Sequence, residues 1–264
     1  RIPDDHVGVC ENISKIGKIN LKDKDNFMAS DNVFEVAKKM GFWDGKEPFS
    51  FWRAYGDKDK AFSVRKFYIY KTLAPSLELN YDVDELPFSI KPDKKVSVQD
   101  VIALFRETYK GTQWDMTQNL KMTVPNKEDK EKTDTITNIY ANPWMRNPMI
   151  QMLNFLDSNA VEFVRPIAVE WCAYSVVIQL RDNMPDEIGG IAWFSFDNPA
   201  QSPRIPIFSG ALKLHESFYI SGQHKFREDA AHWQFRMTNR LSVARWEVMG
   251  KKYINPAIKE LEDK

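Results

Sequence analysis

Two cysteines, Cys10 and Cys172, are the strongest nucleophiles among the 264 residues of the chain. A thiol attacks only as the thiolate, which needs an electropositive, partly open surrounding. Both lie among apolar residues, Val7-Gly-Val-Cys10 and Trp171-Cys-Ala-Tyr174, that read as strand. In such a place cysteine serves as a small buried hydrophobe. A hydrolase complete in itself and using either thiol would lose its activity on thiol modification. The four histidines, His6, His215, His224 and His232, lack the helical two-His spacing of a zinc peptidase, and no cysteine stands near enough to complete a metal set. No metal or organic cofactor is expected. The G-x-S-x-G elbow, the phosphate loop and the dinucleotide fingerprint are all missing, which removes support for those three chemistries.

Two further groups invite a functional reading. Arg106-Glu-Thr-Tyr-Lys-Gly-Thr-Gln-Trp-Asp115 crowds charge, hydroxyl and glycine into ten positions, although a capped helix end with a tight turn would use the same residues. Trp193, Phe194, Phe196, Phe208, Phe218 and Tyr219 could form a sugar-stacking surface, which would make the chain a glycan-binding module and not an enzyme. Aromatics alternating along strands also serve as inter-layer packing. Exposure of Trp193 and Phe196 separates the two readings.

The elements that must position these residues follow from periodicity. Val33, Phe34, Val36, Ala37 and Met40 at helical spacing, ended by Gly41, give a short amphipathic helix. A second helix is read from Ala61 to Leu73, stopped by Ala74-Pro75. A third is capped by Ser97 and closed by Gly111, with Val101, Ile102, Leu104 and Phe105 as its buried stripe. The stretch 126–134 has no apolar residue and reads as a solvated loop. Ile167 to Leu180, Gly189 to Phe196 and Arg204 to Phe208 are rich in β-branched and aromatic residues and read as antiparallel strands. A long helix follows, from Asp229 to about Lys251. Helices, strands and a helix in that order indicate an α+β fold in a single domain, 1–264.

Lysine plus arginine and aspartate plus glutamate both number 37, so no global field favours nucleic acid or an anionic membrane. No apolar run of about 18 residues is present to span a membrane.

Several segments together resemble the dipeptidase A family of cysteine peptidases, which belong to the N-terminal-nucleophile hydrolases. They are Arg1-Ile-Pro-Asp-Asp, Glu11-Asn-Ile, Asp25-Asn-Phe-Met-Ala-Ser30 and Phe49-Ser-Phe-Trp-Arg-Ala-Tyr-Gly56. Nearer the end, Pro185-Asp-Glu-Ile-Gly-Gly-Ile-Ala-Trp193, Pro206-Ile-Phe-Ser-Gly210 and Ala231-His-Trp-Gln-Phe-Arg236 continue the likeness. The most specific piece is Phe105 to Thr117, similar to the family's Arg-x-x-Tyr-x-Gly-Thr-x-Tyr/Trp-Asp-x-Thr element.

The resemblance implies an αββα sandwich, here incomplete because the N-terminal half is missing, and hydrolysis of dipeptides through an acyl-enzyme. In the family the nucleophile is a cysteine at the mature N-terminus, with its own α-amino group as base. Arg1 cannot take that role, so the resemblance implies that the chain is a C-terminal portion, inactive alone, whose partner is the segment bearing the cysteine. It also implies that Asn12 helps form the oxyanion hole and that Arg65 supports the nucleophile's environment, with Arg165 a comparable second candidate. Ile13 departs from the glutamine that the family pattern leads one to expect. A homo-oligomer is compatible with the sequence. Location in a bacterial cytoplasm, or outside it if a signal precedes the missing half, is equally compatible.

Overall fold

The computed structural model describes residues 2–57 and 59–263, so Arg1, from which the opening turn was read, lies outside the described residues. The chain forms two compact units, Arg1–Val96 and Ser97–Lys264.

The first unit is helical and loop-rich. Helix α1, Val33–Lys39, buries Val33 and Ala37, carries Glu35 in its first turn and Lys38 and Lys39 in its last, and so agrees with the helix dipole at both ends. It stops before Gly41, which takes φ +72°, a left-handed conformation that side chains rarely adopt. A short α2, Phe51–Tyr55, follows. Helix α3, Val64–Leu73, begins three residues later than Ala61, because the Ser63 hydroxyl accepts from the Arg65 amide and caps it there. Ala61 and Phe62 are buried in the approach, and α3 turns Lys66, Phe67, Tyr70 and Leu73 inward. The strand expected at Val7 to Cys10 reduces to one bridge, in which Val7 and Ile90 exchange backbone bonds of 2.8 and 2.9 Å.

The second unit is mixed. Helix α4, Val98–Phe105, has a full capping box: Ser97 Oγ accepts from the Asp100 amide, and the Asp100 carboxylate accepts from the Ser97 amide. It ends at Phe105, and Gly111, expected to close it, instead serves the following turn at φ +79°. Strands β1 (Lys121–Pro125) and β2 (Thr133–Thr137) form an antiparallel hairpin. Of the apolar-free stretch 126–134, only 126–132 is therefore loop. Helix α5, Asn147–Leu156, was not anticipated.

Strands β3 (Tyr174–Leu180), β4 (Gly190–Phe196) and β5 (Ile205–Phe208) make an antiparallel sheet in the order β3-β4-β5, with the single helical turn α6 (Asp186–Gly189) before β4. The register pairs Tyr174 with Phe196 and Leu180 with Gly190. Residues 167–173, read as the start of a long strand, are turn and coil. The long terminal helix is broken: α7 (Ala231–Val243) ends at Ala244, and α8 (Trp246–Met249), a π-turn (Gly250–Ile254) and α9 (Asn255–Glu262) follow. Gly250 admits the Trp246 indole, which a Cβ there would meet at 3.0 Å. One core gathers Met116, Met145, Ile150, Ala160 and Val161, and a second Trp144, Ala168 and Ala200 against Val243 and Trp246. The fold is thus mixed helix and sheet, as the element order indicated.

Candidate functional site

In the first unit, a loop and the start of α3 bring Asn12 and Arg65 together. Arg65 Nη1 donates to Asn12 Oδ1 at 3.0 Å. A guanidinium carries only donors, so the amide oxygen must face it and the amide nitrogen is left as the outward donor. Asn12 is exposed, and no acceptor among the described residues engages its Nδ2.

The arginine is held in turn. Its Nε donates to Ser63 Oγ at 3.3 Å and lies 3.6 Å from a Glu11 carboxylate oxygen. The Glu11 side chain is 3% exposed and accepts from the Ser63 amide at 2.6 Å and from the Ser63 hydroxyl at 2.5 Å. Beside this group, α3 buries Lys66, whose ammonium stands 5.3 Å from the centre of the Tyr70 ring. Loss of hydration and, secondarily, the charge of Lys15 push the Lys66 amine down to about 8, against a smaller opposing effect of Glu11 and Glu85. Lys15 Nζ donates to the Val9 carbonyl at 2.5 Å and lies over the Phe88 ring, which pins the loop before Asn12.

Arg165, the third residue expected in the site, belongs to the second unit. It is exposed, its guanidinium lies 5.4 Å from the centre of the Trp171 ring, and its carbonyl accepts from the Tyr109 hydroxyl. The two cysteines depart from the expectation of buried strand positions: Cys10 is exposed and Cys172 half-buried, both in irregular backbone. Burial nonetheless pushes the Cys172 thiol up, and it donates to the Tyr174 carbonyl, so it is a poor nucleophile near neutral pH.

The segment 106–117 forms a turn closed by Asp115, which accepts from the amides of Gly111 and Thr117 and from the Thr117 hydroxyl at 3.0, 2.8 and 2.6 Å. Burial acts to raise the Asp115 pKa, but these bonds and the charge of Lys110 outweigh it and hold the carboxyl below its usual range. Lys110 reaches Glu247 at 2.6 Å, and Arg106 pairs with Glu262. The segment thereby ties its turn to α8 and α9, and with them lines a cavity of about 500 Å³. The aromatic strip is not laid open: Trp193 and Phe196 are half-buried, Phe196 packs against Phe218 and Phe235, and Trp193 donates to Gln179. The glycan-binding reading is not favoured. Among the described residues, no three His, Cys, Asp or Glu side chains are gathered to hold a metal ion, and no helix is long and apolar enough to cross a membrane.

The sequence model of Peptidase family C69 matches residues 1–259. The chain belongs to this family. Curated relatives of the C69 chain include a "Probable dipeptidase" of Latilactobacillus sakei, 24% identical over 83% of this chain and 39% of that protein. A "Probable dipeptidase B" of Streptococcus pyogenes serotype M1 is 26% identical over 97% of this chain and 46% of its own length. "Dipeptidase A" of Lactobacillus helveticus is 18% identical over 95% and 46%. The C69 chain thus spans less than half the length of each of these relatives.

Reading the sequence alone missed Glu11, Ser63 and Lys66. Ser63 stands one residue before α3 and could have been read as its cap. Glu11 carries no local signal, since its partner lies 52 positions away.

Proposed function

We propose that this C69 chain is the C-terminal part of a cysteine dipeptidase, and that it supplies the groups that stabilise the tetrahedral intermediate. Dipeptides are the substrate class that the relatives' names suggest. In this reading the nucleophile is an N-terminal cysteine in the portion of the relatives' length that this chain does not cover. Neither Cys10 nor Cys172 takes that role. The thiol attacks the peptide carbonyl while its own α-amino group takes the proton, and an acyl-enzyme forms and is hydrolysed.

The observation that carries the reading is the bond from Arg65 to Asn12 Oδ1. It orients the Asn12 amide as a donor, and a fixed donor aimed at the developing oxyanion is the largest single contribution in many acyl-transfer sites. Arg65 holds that amide and adds positive charge. Arg165 is assigned the role of a second cation near the nucleophile. The sheet β3-β4-β5 and its helices are, in this reading, part of an αββα sandwich that the missing half completes, within one catalytic domain.

The test is made on the protein expressed with its preceding sequence. Intact mass and N-terminal sequencing identify a mature cysteine, and dipeptide cleavage is assayed with and without a thiol blocker. Thiol-sensitive cleavage that falls roughly 10²- to 10³-fold in kcat for Asn12→Ala is the expected result. Cleavage indifferent to both the blocker and Asn12→Ala would overturn the assignment.

A further inference from the structure

We propose that Glu11 and Ser63 are positioning residues, a carboxylate and a hydroxyl that together hold the Arg65 guanidinium against Asn12 Oδ1 and so fix the direction of the Asn12 amide. This inference rests on the reading of Asn12 as the oxyanion donor.

Donor and acceptor rules settle the proton directions along the chain of contacts. The ionised Glu11 carboxylate only accepts, so the Ser63 hydroxyl hydrogen points to it across 2.5 Å, and the Ser63 amide is the second donor at 2.6 Å. With its hydrogen committed, Ser63 Oγ has only lone pairs left, and both find donors on Arg65, the amide and Nε, each at 3.3 Å. Nε is thus engaged by Ser63 with the Glu11 charge behind it at 3.6 Å, which leaves the planar fork one orientation and sends Nη1 to Asn12 Oδ1 at 3.0 Å. Every link has a single sense, from a carboxylate through a hydroxyl and a guanidinium to an amide.

Helix capping alone does not account for the arrangement. A cap needs an oxygen that accepts from an amide of the first turn, and Ser63 already provides it. The carboxylate bonds to the Ser63 amide and hydroxyl instead. Glu11 also immediately precedes Asn12, so the same contact that fixes the hydroxyl anchors the backbone from which the asparagine projects. The Glu11 side chain is 3% exposed and the Arg65 side chain 17%, so water competes weakly with these bonds.

The test measures kcat and KM for dipeptide cleavage in the protein carrying its preceding sequence, comparing Asn12→Ala, Glu11→Gln, Ser63→Ala and the double variant Glu11→Gln with Asn12→Ala. Glu11→Gln keeps the shape but loses an acceptor and the charge, and misorientation of a primary group costs up to roughly 10²-fold in rate. The expected result is a kcat about 10-fold lower or more for Glu11→Gln, a smaller loss for Ser63→Ala, KM nearly unchanged in both, and a double variant no worse than Asn12→Ala alone, as groups acting through one residue are non-additive. Ser97→Ala, which removes the same kind of helix cap from α4, lowers stability and leaves kcat unchanged. Should Glu11→Gln fail to fold, Ser63→Ala and its double variant with Asn12→Ala give the same readout. If Asn12→Ala is impaired while Glu11→Gln and Ser63→Ala keep the original kcat, the positioning role is wrong and the oxyanion reading stands. If Asn12→Ala itself keeps the original kcat, both fall.

Discussion

Each unit contains a buried carboxylate that gathers an arginine, a serine and an asparagine, and the two clusters use the asparagine in opposite senses. In the second unit, Asp197 accepts from Arg236 Nε at 2.9 Å and from Asn239 Nδ2 at 3.0 Å, and the same Nδ2 donates to Ser202 Oγ at 3.0 Å. Asp197, Ser202 and Asn239 are fully buried, and the donors of the asparagine are consumed inside the protein. In the first unit the carboxylate stops at Ser63 and Arg65, and the asparagine at the end of the chain of contacts is exposed, with its oxygen engaged and its nitrogen outward. The same four residue types thus make a closed structural knot in one place and an outward-directed donor in the other. The direction of the asparagine amide, and not the composition of the cluster, separates a site from a brace.

The comparison breaks most visibly at the closed cluster. Asp197→Ala leaves the Arg236 charge and the Asn239 amide without their acceptor at the turn after β4, where Asp197 itself sits at φ +53°. Removing one partner of such a buried pair costs about 3–5 kcal/mol. The loss is read from the urea midpoint of the second unit's transition. Asn12→Ala, at the exposed end of the other cluster, is expected to change stability by no more than about 0.5 kcal/mol in the same experiment. A large effect of Asn12→Ala and a small one of Asp197→Ala would invert the assignment of the two clusters.

Lys66 sharpens the comparison through pH. Its amine is pushed down to about 8 in the folded protein from an ordinary 10.5, first by loss of hydration and then by Lys15. Below pH 8 both folded and unfolded states carry the proton and the folded state bears the full penalty. Between 8 and 10.5 the unfolded state binds more protons, so stability rises with pH across that window, and above it the penalty is gone. Lys66→Met, of similar volume and without the charge, removes the penalty at neutral pH and should raise stability there by on the order of 3 kcal/mol while flattening the pH profile. Chemical denaturation at pH 7 and pH 10 measures both. An unchanged or lower stability at pH 7 would mean that Glu11 and Glu85 offset the buried charge.

These clusters also mark how far the sequence could be read. Elements with local signals were legible: Ser97 with Asp100 fixes the start of α4, Gly41 follows α1, Pro75 stops α3, and the β-branched and aromatic runs give β3, β4 and β5. Elements whose limits depend on distant partners were not. The α3 start moved from Ala61 to Val64 because Glu11 holds Ser63. The segment before β3 reads as strand, yet Trp144 Nε1 takes the Ala168 carbonyl and Glu107 takes the Ala168 amide, so neither can join a sheet ladder. Within the candidate site, Asn12 and Arg65 were named from a resemblance, and their contact is a fact of folding. Glu11 and Ser63, which set that contact, had no signal beyond an acidic residue and a serine 52 positions apart.

The smallest expected effect is also the most discriminating, because it compares two serines that cap helices with the same atom. Ser97 Oγ accepts from the Asp100 amide at 3.1 Å, and its only carboxylate partner is Asp100, within its own capping box. Ser97→Ala removes this cap at a cost of about 1 kcal/mol. Ser63→Ala removes an equivalent cap from α3 and in addition leaves a Glu11 carboxylate oxygen, on a side chain that is 3% exposed, without its hydroxyl donor. An unmatched buried acceptor adds about 1–3 kcal/mol, so Ser63→Ala should be the costlier of the two by at least about 1 kcal/mol. Equal losses for the two serines would mean that Glu11 finds another donor once the hydroxyl is gone, and the chain of fixed proton directions from Glu11 to Asn12 would then lack its first link.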